Sequence, residues 1–213
     1  MEFNLKVDLH VHTIYSYDSL LSLRTLVKAC KRRCINCIAV TDHNTIEGAL
    51  KMRAYPIKVI IGEEITTKDG EIIGLFLNEE IPRNLSVQET IDKIKEQDGI
   101  VYIPHPFDRM RKSRLRISDD NIWRQANIIE VFNSRCIFQE DNRKALNFAE
   151  VTGSLRGYGS DAHTNIEVGN TYVKMVDFYS RKEFLKNLKD GIPYCKRSPI
   201  LVHAYTKVIK LLK

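Results

Sequence analysis

Leu5-Lys6-Val7-Asp8-Leu9-His10-Val11-His12 alternates apolar and polar residues, and its polar set ends in two histidines. Strict alternation of this kind is the pattern of a strand with one face toward a core. Residues two apart project from the same side of a strand. His10 and His12 are therefore expected side by side, with Asp8 behind them on that face. Two imidazoles on one rigid strand can grip a single metal ion. The plain alternative is a pair of partly buried polar residues at a strand end, and His-x-His alone does not choose between the two.

Outward from this strand, short apolar runs alternate with amphipathic segments. The spacing of Leu20, Leu21, Leu23, Leu26, Val27 and Cys30 predicts a helix over 19–33. Strands are expected at 37–40 and 58–62, with a short helix over 45–54 capped by Asn44 or Thr45 and completed by Glu47. Asp69-Gly70 marks a hairpin into Glu71–Leu77. Ser86 and Glu89 form a capping box ahead of a helix to Gln97. Further strands are expected at 100–103, 128–132, 154–158 and 172–176. Helices are expected at 119–125, 139–151, 180–189 and 203–212. Such alternation predicts an α/β fold with a mainly parallel sheet or barrel and helices outside. No linker or repeat interrupts it, so residues 1–213 are expected to form a single domain.

The remaining histidines and carboxylates fall at the ends of these strands. His43 follows the strand at 37–40, His105 that at 100–103, and His163 that at 154–158. Asp18, Glu63, Glu64 and Asp161 take similar places, and Glu130 lies within the strand at 128–132. In a parallel barrel or sheet the C-terminal strand ends converge on the face where active sites are built. Imidazole and carboxylate placed there at strand after strand point to a multinuclear metal site.

Asp8-Leu-His-Val-His-Thr13, Thr41-Asp-His-Asn44, Gly62-Glu-Glu64, Pro104-His-Pro106 and Gly159-Ser-Asp-Ala-His163 resemble, in order, the motifs of the PHP family. That family comprises metal-dependent phosphoesterases related to histidinol phosphatase and to a domain of bacterial DNA polymerases. The resemblance spans essentially the whole chain and implies a stand-alone phosphoesterase. Its fold would be a distorted seven-stranded (β/α)7 TIM-like barrel, with the metal site at the C-terminal ends of the strands. It further implies that His10, His12, bridging Glu63 and Asp161 hold one metal; Glu63, His105 and Glu130 a second; and Asp18, His43 and His163 a third. Glu63, Asp161 and His163 would then stand at the reacting centre, and Asp8 would receive a hydrogen bond from a ligand histidine and orient it. Glu64 is expected behind the ligands or facing solvent.

A donor set of imidazoles and carboxylates without thiolate suits two or three ions of zinc, manganese or iron. Such a cluster draws a phosphate dianion and generates hydroxide near neutral pH to attack phosphorus. Asn133 and Arg135 follow the strand at 128–132, and similar Asn-x-Arg segments in relatives approach the substrate, which makes Arg135 a candidate phosphate clamp. Arg109, Arg111 and Arg114 belong to a basic run after His105 that suits a second phosphate or a nucleic-acid backbone; a solvated loop is the plain alternative. Cys30, Cys34 and Cys37 are expected to pack in the core, Cys136 to lie more exposed on the active face, and His203 to be a surface or cap residue.

The 213 residues carry 33 Lys+Arg against 27 Asp+Glu, a net +6 that favours anionic partners. No apolar run approaches the ~20 residues of a membrane-spanning helix, no secretory signal opens the chain, and five cysteines form no disulfide framework. A cytoplasmic protein without a membrane partner is expected. Its substrate would be a small phosphorylated metabolite, with a nucleoside phosphate or short oligonucleotide favoured over histidinol phosphate. The reading from another class is a non-catalytic basic barrel subunit of a ribonuclease P-like ribonucleoprotein. Protein partners are not legible.

Overall fold

A computed structural model describes residues 3–212. The chain opens with β1 (Leu5–Val11), α1 (Leu23–Arg33), β2 (Cys37–Val40), α2 (Glu47–Met52), β3 (Lys58–Thr67) and β4 (Gly70–Leu75). It continues through α3 (Val87–Glu96), β5 (Ile100–Ile103), α4 (Asp120–Arg124), β6 (Ile128–Asn133), α5 (Gln139–Thr152) and β7 (Leu155–Gly159). Then come β8 (Thr171–Met175), α6 (Arg181–Lys189), β9 (Ile192–Cys195) and α7 (Leu201–Leu212).

The strands form one sheet in the order β7-β6-β5-β4-β3-β2-β1-β8-β9. Beyond its last pairing, β7 returns to β1, where His12 N–H donates to the Ala162 carbonyl (2.9 Å) and Asp161 N–H to that of His10 (2.8 Å). The sheet is thereby nearly closed into a barrel. Nine strands, rather than seven, correct the (β/α)7 expectation. The difference lies in antiparallel pieces: β4 pairs antiparallel with both β3 and β5, and β8 and β9 add antiparallel strands beside β1. Strand β9 has no counterpart among the expected strands; its Ile192-Pro193-Tyr194-Cys195 is exposed throughout and shows no alternation.

Apolar residues divide by face. Val7, Leu9, Ile60, Ile73, Leu75, Tyr102 and Ile128 meet inside the sheet with Phe184 of α6. Ile65, Ile72 and Ile129 face α3, α4 and α5, while Ile38 and Val40 face α1 and α2. Helix starts follow local chemistry. Ser22 accepts from Thr25 N–H (3.3 Å), which moves the α1 start four residues past the expected Ser19. The capping box of Ser86 and Glu89 is present at α3. At α2 the cap position falls on Ile46, one residue past Thr45: the Thr45 hydroxyl accepts the Glu47 N–H (3.1 Å), and Glu80 Oε1, from a distant loop, accepts the Ile46 N–H (3.2 Å). Cys30 and Cys37 are buried, whereas Cys34 ends α1 in a left-handed conformation and is exposed. Cys136 is buried rather than open to the active face.

Candidate metal centre and its cleft

Strand ends assemble the site. His10 lies in β1 and His12 just past it; His43 follows β2, His105 follows β5, and Asp161 and His163 follow β7. His105 and Asp161 both adopt positive φ (31° and 53°), the kind of backbone strain that persists where surrounding contacts fix it. The Nε2 atoms of His10 and His12 lie 3.0 Å apart. Asp161 Oδ1 sits 3.6 Å from His10 Nε2, 3.4 Å from His12 Nε2 and 3.5 Å from His163 Nδ1. Asp18 bridges His43 (3.4 Å) and His163 (3.2 Å).

The central carboxylate is Glu64. Its oxygens lie 3.0 Å from His105, 3.2 Å from His12 and 3.4 Å from both His10 and His43. Glu63 is not brought into this cluster: on the opposite side of β3, one of its oxygens accepts the Ile81 N–H (2.9 Å). Glu130, expected as a ligand, falls outside the groups of converging donor atoms. It accepts from His10 Nδ1 (3.1 Å), Tyr102 Oη (2.9 Å), His105 N–H (2.8 Å) and Asn133 Nδ2 (2.9 Å), so it orients ligands from behind. The place on the open side is taken by Glu71, with oxygens 3.7 Å from His43 and 3.9 Å from His105. Because β4 runs antiparallel, its beginning lies beside the C-terminal ends of its neighbours. The hairpin alternation that puts Ile73 and Leu75 inside also puts Glu71 there, and that signal is present in the sequence.

Asp8 also differs from expectation. The register of β1 on β2 slips between Asp8 and Val11. Asp8 consequently accepts backbone N–H groups of Ser160 (2.9 Å), Gly169 (3.2 Å) and His10 (3.4 Å) rather than an imidazole. Burial pushes its carboxyl up to about 7. The oxygen that orients His12 belongs to Ser16, 2.9 Å from His12 Nδ1, and Ser16 in turn donates to Asp42 (2.8 Å). Asp42 lies in the segment Thr41-Asp-His-Asn44, yet nothing in one sequence marks it as the anchor.

The donor chemistry fits divalent cations. His12, Asp18, His43 and His163 form one group whose ligand atoms lie within 4.8 Å of one another. The sets His10, His12, Asp161; His10, Glu64, His105; and His43, Glu64, Glu71 form others on the same criterion. Asp18 Oδ1, Glu64 Oε2, Glu71 Oε2 and Asp161 Oδ1 are buried without a hydrogen bond. Such orphaned oxygens are costly unless a cation satisfies them. Burial opposes charge on His10 and His12, yet the surrounding carboxylates win. Asp161, Glu130 and Glu64 hold His10 well above its ordinary range, and Asp161 and Glu64 raise His12 to about 9. His163 goes the other way, to about 3, through burial and the nearby cations Arg135 and His12.

The group opens into a cleft of about 540 Å³ lined by Tyr17, Asp18, Met110, Arg111, Arg135, His163, His203 and Lys210, among others. Arg111 donates to Asp161 and pairs with Asp108 (3.3 Å), and Lys210 of α7 reaches Asp18 (3.3 Å). Of the residues expected to contact substrate, Arg111 lines the cleft. Arg135 is buried and committed to Thr206 of α7 (2.6 Å) and Glu167 (3.5 Å). Asn133 is buried between Glu130 and Asp161 (3.1 Å). Arg109 grips Asp141, and it and Arg114 line a different cavity. His203 lines the cleft wall, which its position outside every motif concealed.

Residues 8–102 match the PHP domain, and residues 139–192 match the PHP-associated family. The uncharacterized protein MJ0417 of Methanocaldococcus jannaschii is 43% identical over 196 residues, 87% of this chain and 79% of that one. The chain belongs to the PHP family. Solved PHP-like structures share the fold at low identity. A two-domain protein from Bacteroides vulgatus, containing a predicted PHP-like metal-dependent phosphoesterase, superposes with a TM-score of 0.73 at 18% identity. The match covers 90% of this chain and 65% of that protein. Endonuclease Q, solved with a 27-mer duplex carrying an abasic lesion at the active site, gives a TM-score of 0.67 at 16% identity, covering 87% of this chain and 56% of that one. Among the described residues of this PHP chain, no helix is long and apolar enough to cross a membrane.

Proposed function

We propose that this PHP-family metal-dependent phosphoesterase hydrolyses a phosphate ester of a nucleoside or short oligonucleotide. The observation that carries the reading is the set of orphaned buried oxygens of Asp18, Glu64, Glu71 and Asp161, interleaved with five imidazoles, of which Asp18 and His163 line a cation-rich cleft. Those residues would hold two or three divalent ions of zinc, manganese or iron. Ions bound there supply Lewis-acid polarisation of a phosphoryl oxygen and activation of water.

The chain's own residues do the rest. Arg111, Lys112, Lys207 and Lys210 line the cleft and draw an anionic substrate to its mouth. Arg111 is held by Asp108 and Asp161, so its guanidinium is oriented before substrate arrives. Asn133 fixes Asp161 and Glu130 together, and Ser16 fixes the His12 ring. Tyr17 and Met110 offer apolar surface beside the cations for a base or sugar.

The test is a screen of phosphorylated metabolites with Mn²⁺, Zn²⁺ and Fe²⁺, scored by phosphate release, alongside metal analysis of the purified protein. A high rate on one nucleotide class, with at least one tightly bound transition metal per chain, is expected. Replacing both His10 and His12 with Ala should abolish both. Retained hydrolysis in that double variant overturns the mechanism.

A further inference from the structure

The loop that follows β5 has two sides. On one side Asp108, Met110, Arg111, Lys112 and Ser113 face the metal cleft. On the other, Arg114, Leu115, Arg116 and Ile117 line a separate cavity of about 480 Å³ together with Phe107, Trp123 and Lys144. The loop is thus the partition between two cation-lined cavities. It is also held in place. Ser113 carbonyl accepts Glu71 N–H (2.9 Å), and Arg116 N–H donates to the Asp69 carbonyl (2.8 Å). Gly70, at φ 136°, lets the β3–β4 turn approach so closely that a Cβ would lie 2.6 Å from Leu115 Cα.

Four cations line the second cavity, and one of them, Arg109, is paired there with Asp141, which also lines it. Arg109 is neutralised by Asp141 at 2.6 Å, and Arg111 by Asp108 and Asp161. Among the described residues, by contrast, Arg114, Arg116 and Lys144 have no carboxylate within ion-pair distance, and the Arg114 guanidinium touches only the Asp108 carbonyl (3.5 Å). Arg114 is half-buried, so its position at the wall is set by packing rather than by solvent. Clustered cations without partners repel one another, and a bound anion relieves that repulsion. The cavity wall also carries the edge of an aromatic group, in which Phe107 and Trp123 stack (6.3 Å between centroids). Unpaired cations beside an apolar aromatic wall suit a phosphate with an attached base.

Resting on the function proposed above, we propose that this second cavity is a binding site for a phosphate of a single-stranded oligonucleotide whose scissile phosphate lies in the metal cleft, the strand crossing the 108–117 partition. Arg114, Arg116 and Lys144 hold that distal phosphate. Mononucleotides and simple aryl phosphates, which reach only one side of the partition, do not use it.

The test compares wild-type protein with the Arg114→Ala/Arg116→Ala/Lys144→Ala variant. Hydrolysis of a short single-stranded DNA and of an aryl phosphate is measured, and binding of the same labelled DNA is followed by anisotropy in EDTA over a salt series. The expected result is a KM for the oligonucleotide raised about tenfold or more, with kcat unchanged and aryl phosphate hydrolysis untouched. The slope of log affinity against log salt should fall by about 0.7 for each phosphate that the variant no longer neutralises. An equal rise in KM for both substrates, or no change in oligonucleotide binding and its salt slope, overturns the proposal. Binding in EDTA does not depend on hydrolysis. Loss of binding in the variant of a protein that cleaves no ester would therefore refute the function and leave the second site standing. A Gly70→Ala variant, which displaces the partition while keeping every cation, should weaken oligonucleotide binding in the same assay.

Discussion

Four imidazoles converge on the Glu64 carboxylate at 3.0–3.4 Å, while its neighbour Glu63 spends an oxygen on one backbone N–H. Substituting each by glutamine separates the two. Glu64→Gln removes a charge that no neighbour replaces, and metal content measured after dialysis should fall with hydrolysis by about 100-fold or more. Glu63→Gln keeps the acceptor for Ile81 in a position where burial already pushes the carboxyl up to about 7, so metal content should match wild type. Equal loss in both variants would sink the assignment of Glu64 as the central ligand. One step further out, Ser16→Ala takes the acceptor from His12 Nδ1 and frees the ring to turn. Competition with a chelator dye should show metal affinity reduced by roughly 10–100-fold, with the fold's circular dichroism unchanged.

At the scale of elements, the first turn of α5 is pinned by Arg109, whose Nε donates to both Asp141 oxygens at 3.0 and 3.1 Å. Burial would raise the Asp141 carboxyl, but Arg109 holds it below its ordinary range. A carboxyl depressed in the folded state adds stability that is present above about pH 4, where it is ionised even in the unfolded chain, and is lost as pH falls through the folded value. Arg109→Leu should therefore move the acid-unfolding midpoint upward, read by fluorescence of Trp123, while stability at low pH, below both values, stays close to wild type.

Elements also show what the sequence could tell. The alternation of Leu5–His12, the Ser86/Glu89 box and the histidines after successive strands were sufficient for the α/β barrel and for the gathering of five histidines at its strand ends. Val59-Ile60-Ile61-Gly62-Glu63-Glu64-Ile65 was not sufficient to choose its glutamate. A strand buried on both faces reads as a continuous apolar run, with no alternation to say which side faces inward. The slip between Asp8 and Val11 that removed Asp8 from its expected place is invisible for another reason. A shift in strand pairing depends on both strands, and only one is being read. That Thr206 takes up the Arg135 guanidinium is equally hidden, because α7 packs from the far end of the chain.

Over the whole molecule, the folded state gathers buried carboxylates at one end of the barrel. A cation that binds only that state adds stability that grows with its concentration, about 4 kcal/mol at a thousand times its dissociation constant. Stripping metal with EDTA should lower Tm by roughly 10 °C for a chain of this size, and stoichiometric Mn²⁺ or Zn²⁺ should restore it. A Tm indifferent to chelator would refute tight binding.

Glu71 joins two of these features mechanically. Its backbone N–H is tied to Ser113 of the loop that separates the cavities, and its carboxylate faces His43 and His105. One residue is thus at once a fastening for the partition and part of the lining of the reacting centre. A strand bound as proposed would pull on the same peptide unit that positions that carboxylate. If the far cavity takes a strand as proposed, its grip would be transmitted through one residue to the carboxylate that faces His43 and His105.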